Sequence, residues 1–563
     1  MKKSLCLPAR KRGYWTAVAA VLAPLAAFAP ATVSGADVKD QPLSFLWSTV
    51  ANSATVIPGG NGVTTFNSFN QPSVNVTGLV VLRARSKGSE GTGTVSEGGG
   101  SPLRGIYSRQ MDKGGSLTVV FDTKTVVPQP NNTTYQGNLG TFTEFPAFPR
   151  IGLDTNTIVT RGQSKPVYTY TLPDGSDTKV GTSGVYAMRL GARVTAMAQL
   201  GTVPNYDHYS VPGATPGTKF DQFPGAPAIA NMDTVVFKGN FTDGTSKTGI
   251  FFRQFDASNN NVKTQVIASS DTLIPGQSLV KFGSTSPPSA SAMDAVFLGL
   301  DNEDAPTLGG IYRAPFATTP TLQTLASIGG QVPGEAAGKT FTRLGEALSY
   351  DGQFISFWGS WGTEFRQVTL YCPVDGQQAV IAYCNAQYPN GNPVNIPVYQ
   401  GFFVHDLKTG QTSPVAKTGP ASPYLDFLYW VFSGRPPGVG EGDTEDFEAP
   451  RWRSSAFAAT YSGKFKAAEV AFKARKQLVG GLVPVDGIYL NSPSKSVIST
   501  VVETGSLGNA IDPLAPGKVI TVGIERDGLR DGWLALAVGM LDPVSSEGWA
   551  GVYLTRTDGK KIK

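Results

Sequence analysis

Histidine and cysteine are almost missing from this sequence: 2 and 3 residues respectively among 563. Soft-metal sites need clusters of those side chains. No histidine and no further cysteine stands near Cys372 and Cys384, the two cysteines beyond the N-terminal stretch. Imidazole chemistry is restricted to His208 and His405. Long apolar runs are absent after the N-terminus, which excludes a helical membrane span there. A phosphate-cradling glycine loop, a zinc-protease motif and a Gly-x-Ser-x-Gly nucleophile turn are missing too.

The one apolar stretch is N-terminal. Lys2, Lys3, Arg10, Lys11 and Arg12 precede a short apolar segment from Trp15 to Phe28. Ser34-Gly35-Ala36 then offers a small-residue cleavage site, with Ala29-Pro30-Ala31 as a second. That order is the pattern of a secretory signal peptide, assigned to residues 1–36. Pro24 and Pro30 interrupt the run, which is short for a span. Cys6 precedes the apolar segment, a poor place for lipid attachment, and no Arg-Arg pair points to twin-arginine export. The leader holds 5 of the 47 basic residues and no acid, so its removal leaves 42 basic against 42 acidic residues. A chain so near neutrality has no net field to steer it to nucleic acid. In an oxidising compartment Cys372 and Cys384 are expected to form a disulfide, worth about 3 kcal/mol in the chain-entropy model. The expectation is a secreted or periplasmic monomer.

Glycine (66) and proline (40) are abundant, as in chains of many short strands joined by turns. A Gly-apolar-aromatic triplet recurs seven times: at Gly105, Gly184, Gly249, Gly310, Gly401, Gly487 and Gly551, spaced 61 to 91 residues apart. Each triplet is preceded by an apolar strand, such as Leu79 to Leu82, Thr234 to Phe237 or Ala456 to Ala459. Before that strand stands a segment often carrying Phe and Pro: FNSFNQPS from Phe66, FTEFPAFP from Phe142, FDQFPGAP from Phe220, FEAPRWRSS from Phe447. A fourth strand follows most triplets. Seven four-stranded antiparallel units predict an all-β chain, a single seven-bladed β-propeller over residues 37–563, in which radial repetition leaves few exposed edges. Two or three sandwich domains in series would need linkers that the chain lacks. The last unit ends after its third strand, Gly551 to Arg556, so Leu43 to Val50 is expected to supply the fourth and close the ring.

The stretch from Ala347 to Gly419 holds Ser349-Tyr350-Asp351-Gly352, the strand to Phe357, and Asp406-Leu407-Lys408-Thr409-Gly410. In its Ser-x-Asp-Gly-x-x-Ile-x-Phe strand pair and Asp-Leu-x-Thr-Gly turn it resembles the TolB-type propeller repeat, with Tyr350 where that family usually has Pro. The other units are similar to uncharacterised secreted bacterial tandem-repeat propeller proteins. These resemblances imply a propeller and carry over no catalytic residues.

Naming the four strands of a unit A to D, A–B and C–D turns share one face of the disk and B–C and D–A connections the other. Insertion loops are expected at 86–104, 359–400, 419–446 and 461–486, with Asn205 to Lys219 as a further D–A loop, all on the second face. Long loops on a rigid scaffold are where binding concentrates. Candidate residues there are few. Tyr206 and His208 pair in NYDHYSVPG, and a Tyr/His pair can serve as base and acid on a uronic-acid sugar, although a turn histidine without a role is the commoner case. Glu441, Asp443, Glu445, Asp446 and Glu448 form an acidic run able to hold Ca²⁺ or to lend two carboxylates to glycoside hydrolysis, against the simpler reading of a solvated loop. Trp452 with Arg453, and Tyr429 with Trp430, are candidates for stacking on sugar or for the core. His405, at a strand end, is read as structural. Sialidase-type Asp-box repeats are absent. The leading expectation is a secreted, non-catalytic propeller without a cofactor, binding a glycan or protein partner on its loop-rich face. The alternative is a polysaccharide lyase or glycoside hydrolase acting on the same face, with Tyr206, His208, Asp443 and Glu445 as weak catalytic candidates.

Overall fold

A computed structural model describes residues 43–87, 102–129, 131–132, 134–135, 138–171, 177–198, 210–231, 233–255, 263–372, 378–427, 431–435, 448–453, 457–477 and 484–562. They form seven antiparallel sheets of four or five strands. Phe66–Phe69 and Ser73–Val74 begin the first blade, whose B, C and D strands are Leu79–Ser86, Arg104–Gln110 and Thr118–Asp122. In most blades strand A is broken in two in this way. The inner halves Ser73–Val74, Arg150–Ile151, Ala228–Ala230 and Ser289–Ser291, the unbroken strand Phe341–Tyr350, and then Phe457–Ser462 and Leu529–Arg530 touch in that order, and the last touches the first. The seven-bladed ring is closed.

Closure uses the expected strand, displaced by a few residues. Ser48–Asn52 pairs with Gly548–Arg556, Ser48 opposite Leu554 and Asn52 opposite Gly551. Upstream, Leu43, Phe45 and Trp47 pack against the core under the last blade, and Thr555 Oγ1 donates to the Leu46 carbonyl at 2.8 Å. The pairing has the bulge that marks every other C–D pair. Register slips between Ile106 and Tyr107, Val185 and Tyr186, Ile250 and Phe251, Ile311 and Tyr312, Phe402 and Phe403, and Ile488 and Tyr489. In the seventh blade it slips opposite Val552 and Tyr553. The N-terminal strand is therefore a true fourth strand.

The recurring triplet has a packing cause. Side chains two apart share a face of a strand, so the aromatic of Gly-x-aromatic folds back over the glycine. A Cβ on Gly184 would lie 2.7 Å from the Tyr186 hydroxyl, and one on Gly487 2.6 Å from that of Tyr489. The first aromatic of strand A then meets the triplet ring edge-on: Phe66 with Tyr107 at 4.9 Å, Phe142 with Tyr186 at 4.8 Å, Phe220 with Phe251 at 4.9 Å and Phe341 with Phe403 at 5.2 Å. A second glycine, on strand B, makes room for it: a Cβ on Gly162, Gly239, Gly299 or Gly359 would fall 2.4–2.6 Å from that phenylalanine ring. T-shaped pairs of this kind add about 1 kcal/mol each beyond area burial.

The sixth blade departs from expectation. Its strand A begins at Tyr424–Asp426, and Tyr424 fills the aromatic place, 5.3 Å from Tyr489. Of the Ala456–Ala459 stretch, expected as strand B, the described residues Phe457 to Ala459 belong to the inner half Phe457–Ser462; strand B is Ala467–Lys476. The expected insertion loop at 461–486 therefore holds strand B and the start of strand C, and a short antiparallel ribbon, Val431–Arg435 with Glu448–Arg453, interrupts strand A. The aromatic pattern was displaced because that ribbon separates Tyr424 from its own inner half. The 359–400 segment is also regular: strands Phe354–Leu370 and Asn392–Asp406 run on as a hairpin, carrying the helix Gln378–Gln387. Cys372 and Cys384 form the disulfide that ties the helix to the hairpin.

The Ser349–Phe357 turn works through Asp351, whose Oδ1 accepts from the Gln353 and Phe354 amides at 3.0 and 2.7 Å while Gly352 takes φ +100°. Left-handed backbone of that kind favours glycine.

Candidate functional site

The axis of the ring is filled. The turn Glu525–Arg530 of the seventh blade reaches inward and bonds to five other blades. The Val74 amide donates to the Asp527 carbonyl at 2.9 Å. Arg150 places Nη1 2.6 Å from Glu525 and Nε 2.6 Å from Asp527. Arg526 donates to the carbonyls of Pro287 and Pro288, and Ser349 Oγ donates to the Arg526 carbonyl at 2.6 Å. Arg530 reaches the Ala459 and Tyr350 carbonyls and Asp527. Arg150 is 1% exposed, and burial among other guanidinium groups pushes its pKa down to about 10, with Asp527 and Glu525 opposing. Charged groups so placed are costly unless fully paired. Here they hold blades together and occupy the space where a propeller has its channel.

The sequence-derived candidates fall mostly elsewhere. Tyr206 and His208, and Asp443, Glu445 and Asp446, lie outside the described residues. Trp452 and Arg453 sit on the ribbon, their backbones opposite Phe432 and Val431, and their side chains are outside what is described. His405 is structural: it is buried, shares a 2.8 Å bond with Thr412 Oγ1, and burial lowers its pKa, which favours the neutral ring. Among the described residues no group of three His, Cys, Asp or Glu is placed to hold a metal ion, and no helix is long and apolar enough to cross a membrane.

A cleft that sequence reasoning missed opens between the third and fourth blades, on the B–C side. It measures about 330 Å³ and is lined by Asp221, Gln222, Lys238, Asn240, Ser284 and Glu303, among others. Its origin is a change of pattern along one strand face. In Thr234–Asp243, Val236 faces the fourth blade, in a core shared with Phe297 and Tyr312. The same parity continues as Lys238, Asn240 and Thr242, opposite Ile250, Thr248 and Ser246 on strand C. The interblade core therefore stops short, and the upper edge is polar. Thr248 and Thr285, one from each blade, bond hydroxyl to hydroxyl at 2.9 Å beneath it.

Two carboxyl groups enter the cleft from different blades. Asp221 is the extra residue of a bulge: Phe220 opposes Phe241 and Gln222 opposes Asn240, so Asp221 is turned out of the ladder. It accepts from Thr242 Oγ1 at 2.8 Å, and burial raises its pKa against that bond. Glu303, from the fourth blade's B–C turn, accepts from Ser284 Oγ at 3.3 Å. The Oδ1 of Asn240 is buried without a hydrogen-bond partner. Lys247 at the rim is engaged, 3.0 Å from Asp271 and 3.4 Å from Asp243. Asp221 and Gln222 were visible in the FDQFPGAP segment only as part of a strand. The signal that would have marked them is a polar residue at the bulge position beside an aromatic.

No family model matches the chain, and no curated protein matches it. Among solved structures it is similar to an oligogalacturonate lyase in complex with manganese, at 7% identity and a TM-score of 0.37, over 92% of this chain and 98% of that one. It is similar to the β-propeller domain of the Trilobed protease from Pyrococcus furiosus, at 9% identity and a TM-score of 0.36, over 86% and 96%. A third is an α-L-arabinanase from Penicillium chrysogenum in complex with arabinobiose, at 10% identity and a TM-score of 0.27, over 78% and 98%. Likenesses this distant leave function to be argued from the chain itself, and the TolB-type repeat is not confirmed as a family.

Proposed function

We propose that this is a secreted propeller that binds a glycan or protein partner through the face carrying its B–C and D–A connections, with no need of catalysis. One observation carries the reading: elaboration is concentrated on that face, around a polar cleft. The hairpins Ile158–Thr171/Asp177–Arg189 and Phe354–Leu370/Asn392–Asp406 extend there, the latter carrying a disulfide-tied helix. The A–B turns of the opposite face are short, as at Asn75–Gly78 and Asp351–Gln353; its longest connection joins Gln254 to Gln265. Rigid extensions beside a cleft lower the entropy lost on binding. The disulfide suits an oxidising compartment.

The alternative, a polysaccharide-degrading enzyme on the same face, gains support from Asp221 and Glu303. Acid–base cleavage of a glycosidic bond uses two carboxyl groups, one with a raised pKa, and Asp221 has that shift. Two measurements separate the readings. The full chain is screened for binding against glycan and extracellular-protein panels, and for product release from the same glycans. Binding without turnover, weakened when residues 371–391 are replaced by a short turn, is the expected result. Turnover abolished by Asp221→Asn would replace the binding reading with the enzymatic one.

A further inference from the structure

We propose that one exposed sheet face of the Phe354–Leu370/Asn392–Asp406 hairpin is a stacking platform for an extended, neutral polysaccharide chain. The inference rests on the reading of the B–C and D–A side as a ligand-binding surface and adds the chemical class of the ligand.

The platform follows from strand alternation. Opposed residues of an antiparallel pair share a face, so Phe365, Gln367 and Thr369 lie together with Pro397, Asn395 and Pro393. Tyr371 continues the row: a Cβ on Gly391 would fall 2.6 Å from Thr369 Cγ2 and 3.1 Å from Tyr371 Cδ1, so both side chains border that glycine. The other face is packed. Leu370 and Ile396 are buried there, and Arg366 donates to the Leu425 carbonyl and pairs with Asp426, each at 2.8 Å. On the platform Phe365 is 50% exposed and Tyr371 73%, with Gln367, Thr369, Pro393 and Asn395 exposed between them. Exposed aromatics are scarce in this chain: among the side chains described, Tyr461 alone joins these two.

The residue types set the class. Aromatic rings left in water keep a large apolar surface uncovered. A sugar unit with equatorial hydroxyls carries C–H groups on its faces and hydroxyls around its edge. The C–H faces stack on Phe365 and Tyr371, and the hydroxyls meet the amides of Gln367 and Asn395 and the Thr369 hydroxyl, which both donate and accept. Six residues of strand set the two rings about 20 Å apart, a reach that needs several sugar units in an extended chain. The disulfide Cys372–Cys384 adjoins Tyr371 and fixes that end of the platform, which lowers the entropy lost on binding. None of the platform residues is charged at neutral pH. The charges flanking its Phe365 end are of opposite sign: Arg343, with its guanidinium 5.9 Å from the Phe365 ring centre, and the exposed Glu364.

The test is calorimetric titration of the full chain with neutral oligosaccharides (cello-, xylo- and manno-oligomers, as dimers and as hexamers) and with uronic ones (oligogalacturonate and alginate oligomers). At least one neutral hexamer is expected to bind about tenfold or more tightly than its dimer, because it alone reaches both rings. Its affinity should change by less than about twofold between low and high salt. Phe365→Ala and Tyr371→Ala are each expected to weaken hexamer binding about tenfold, and Tyr371→Phe to leave it within about twofold. All three should melt within about two degrees of the native chain, as exposed substitutions do. Preference for uronic oligomers, with affinity falling steeply in salt, overturns the proposal. So does neutral binding that is indifferent to both alanine variants; if the shortened 371–391 hairpin still weakens that binding, the loop-bearing face stands as the binding surface. Binding of a protein partner with no glycan of either kind overturns the platform alone. Failure of every ligand overturns both readings.

Discussion

The packing of Phe220 against Gly239 can be measured. Gly239→Ala places a methyl 2.4 Å from Phe220 Cε1 and 3.3 Å from Phe251. Ordinary carbon contact is about 3.5–4.0 Å, so the Phe220 ring must move by more than about 1 Å. It cannot do so freely: it contacts Phe223 at 5.3 Å, Phe237 at 5.8 Å and Phe251 at 4.9 Å between ring centroids, and is 1% exposed. Overpacking of this kind costs about 1–3 kcal/mol, against which the smaller backbone entropy of alanine returns about 0.5–1 kcal/mol. The net expectation is a loss of about 1 kcal/mol. Phe220→Leu by itself removes the edge-on contacts and costs about 1.5 kcal/mol. In the double variant the leucine leaves the room the methyl needs, so the two losses should not add. A coupling of about 1–2 kcal/mol in favour of the double variant is expected. Urea denaturation followed by tryptophan fluorescence gives all four corners of the cycle. Additivity within 0.3–0.5 kcal/mol, the usual finding for independent sites, would refute the account of why glycine recurs on strand B.

Two further outcomes follow from the same structure. Glu469 is fully buried, accepts from Ser492 Oγ at 2.8 Å and Thr557 Oγ1 at 3.1 Å, and burial raises its pKa above the ordinary value near 4.5. As pH rises above that value the unfolded chain releases this proton while the folded chain still holds it, so the group makes the fold lose stability until its own folded pKa is passed. Melting temperatures taken from pH 4.5 upward should show Glu469→Gln gaining on the native chain across that window; parallel curves would show that the carboxyl does not titrate as described. Deleting residues 1–52 removes the fourth strand of the last blade and leaves Gly548–Arg556 as an open edge. The melting temperature should fall by about 10 °C, and a synthetic peptide spanning Leu43 to Ala54 should restore part of it by strand addition; an unchanged melt would mean the ring does not depend on that strand.

What was legible in the sequence is what local chemistry dictates. The glycine and aromatic of each triplet must sit two apart on one strand face, so seven triplets announced seven sheets, and a last unit of three strands announced closure by the N-terminal strand, expected at Leu43 to Val50 and found at Ser48–Asn52. The disulfide could be anticipated because two cysteines twelve residues apart had no other partner. The displaced strand B of the sixth blade shows the limit: once the ribbon separated Tyr424 from Phe457, nothing nearby in sequence joined the halves of one strand. The interior polar groups show it more plainly. Arg150 and Asp527 are 377 residues apart and meet only because the second and seventh blades both face the axis. Asp221 and Glu303 become walls of one cleft because a bulge turns the first outward and the fourth blade presents the second. Spacing along a strand decides which face a side chain takes; which side chains from different blades share that space depends on how the sheets are stacked around the ring.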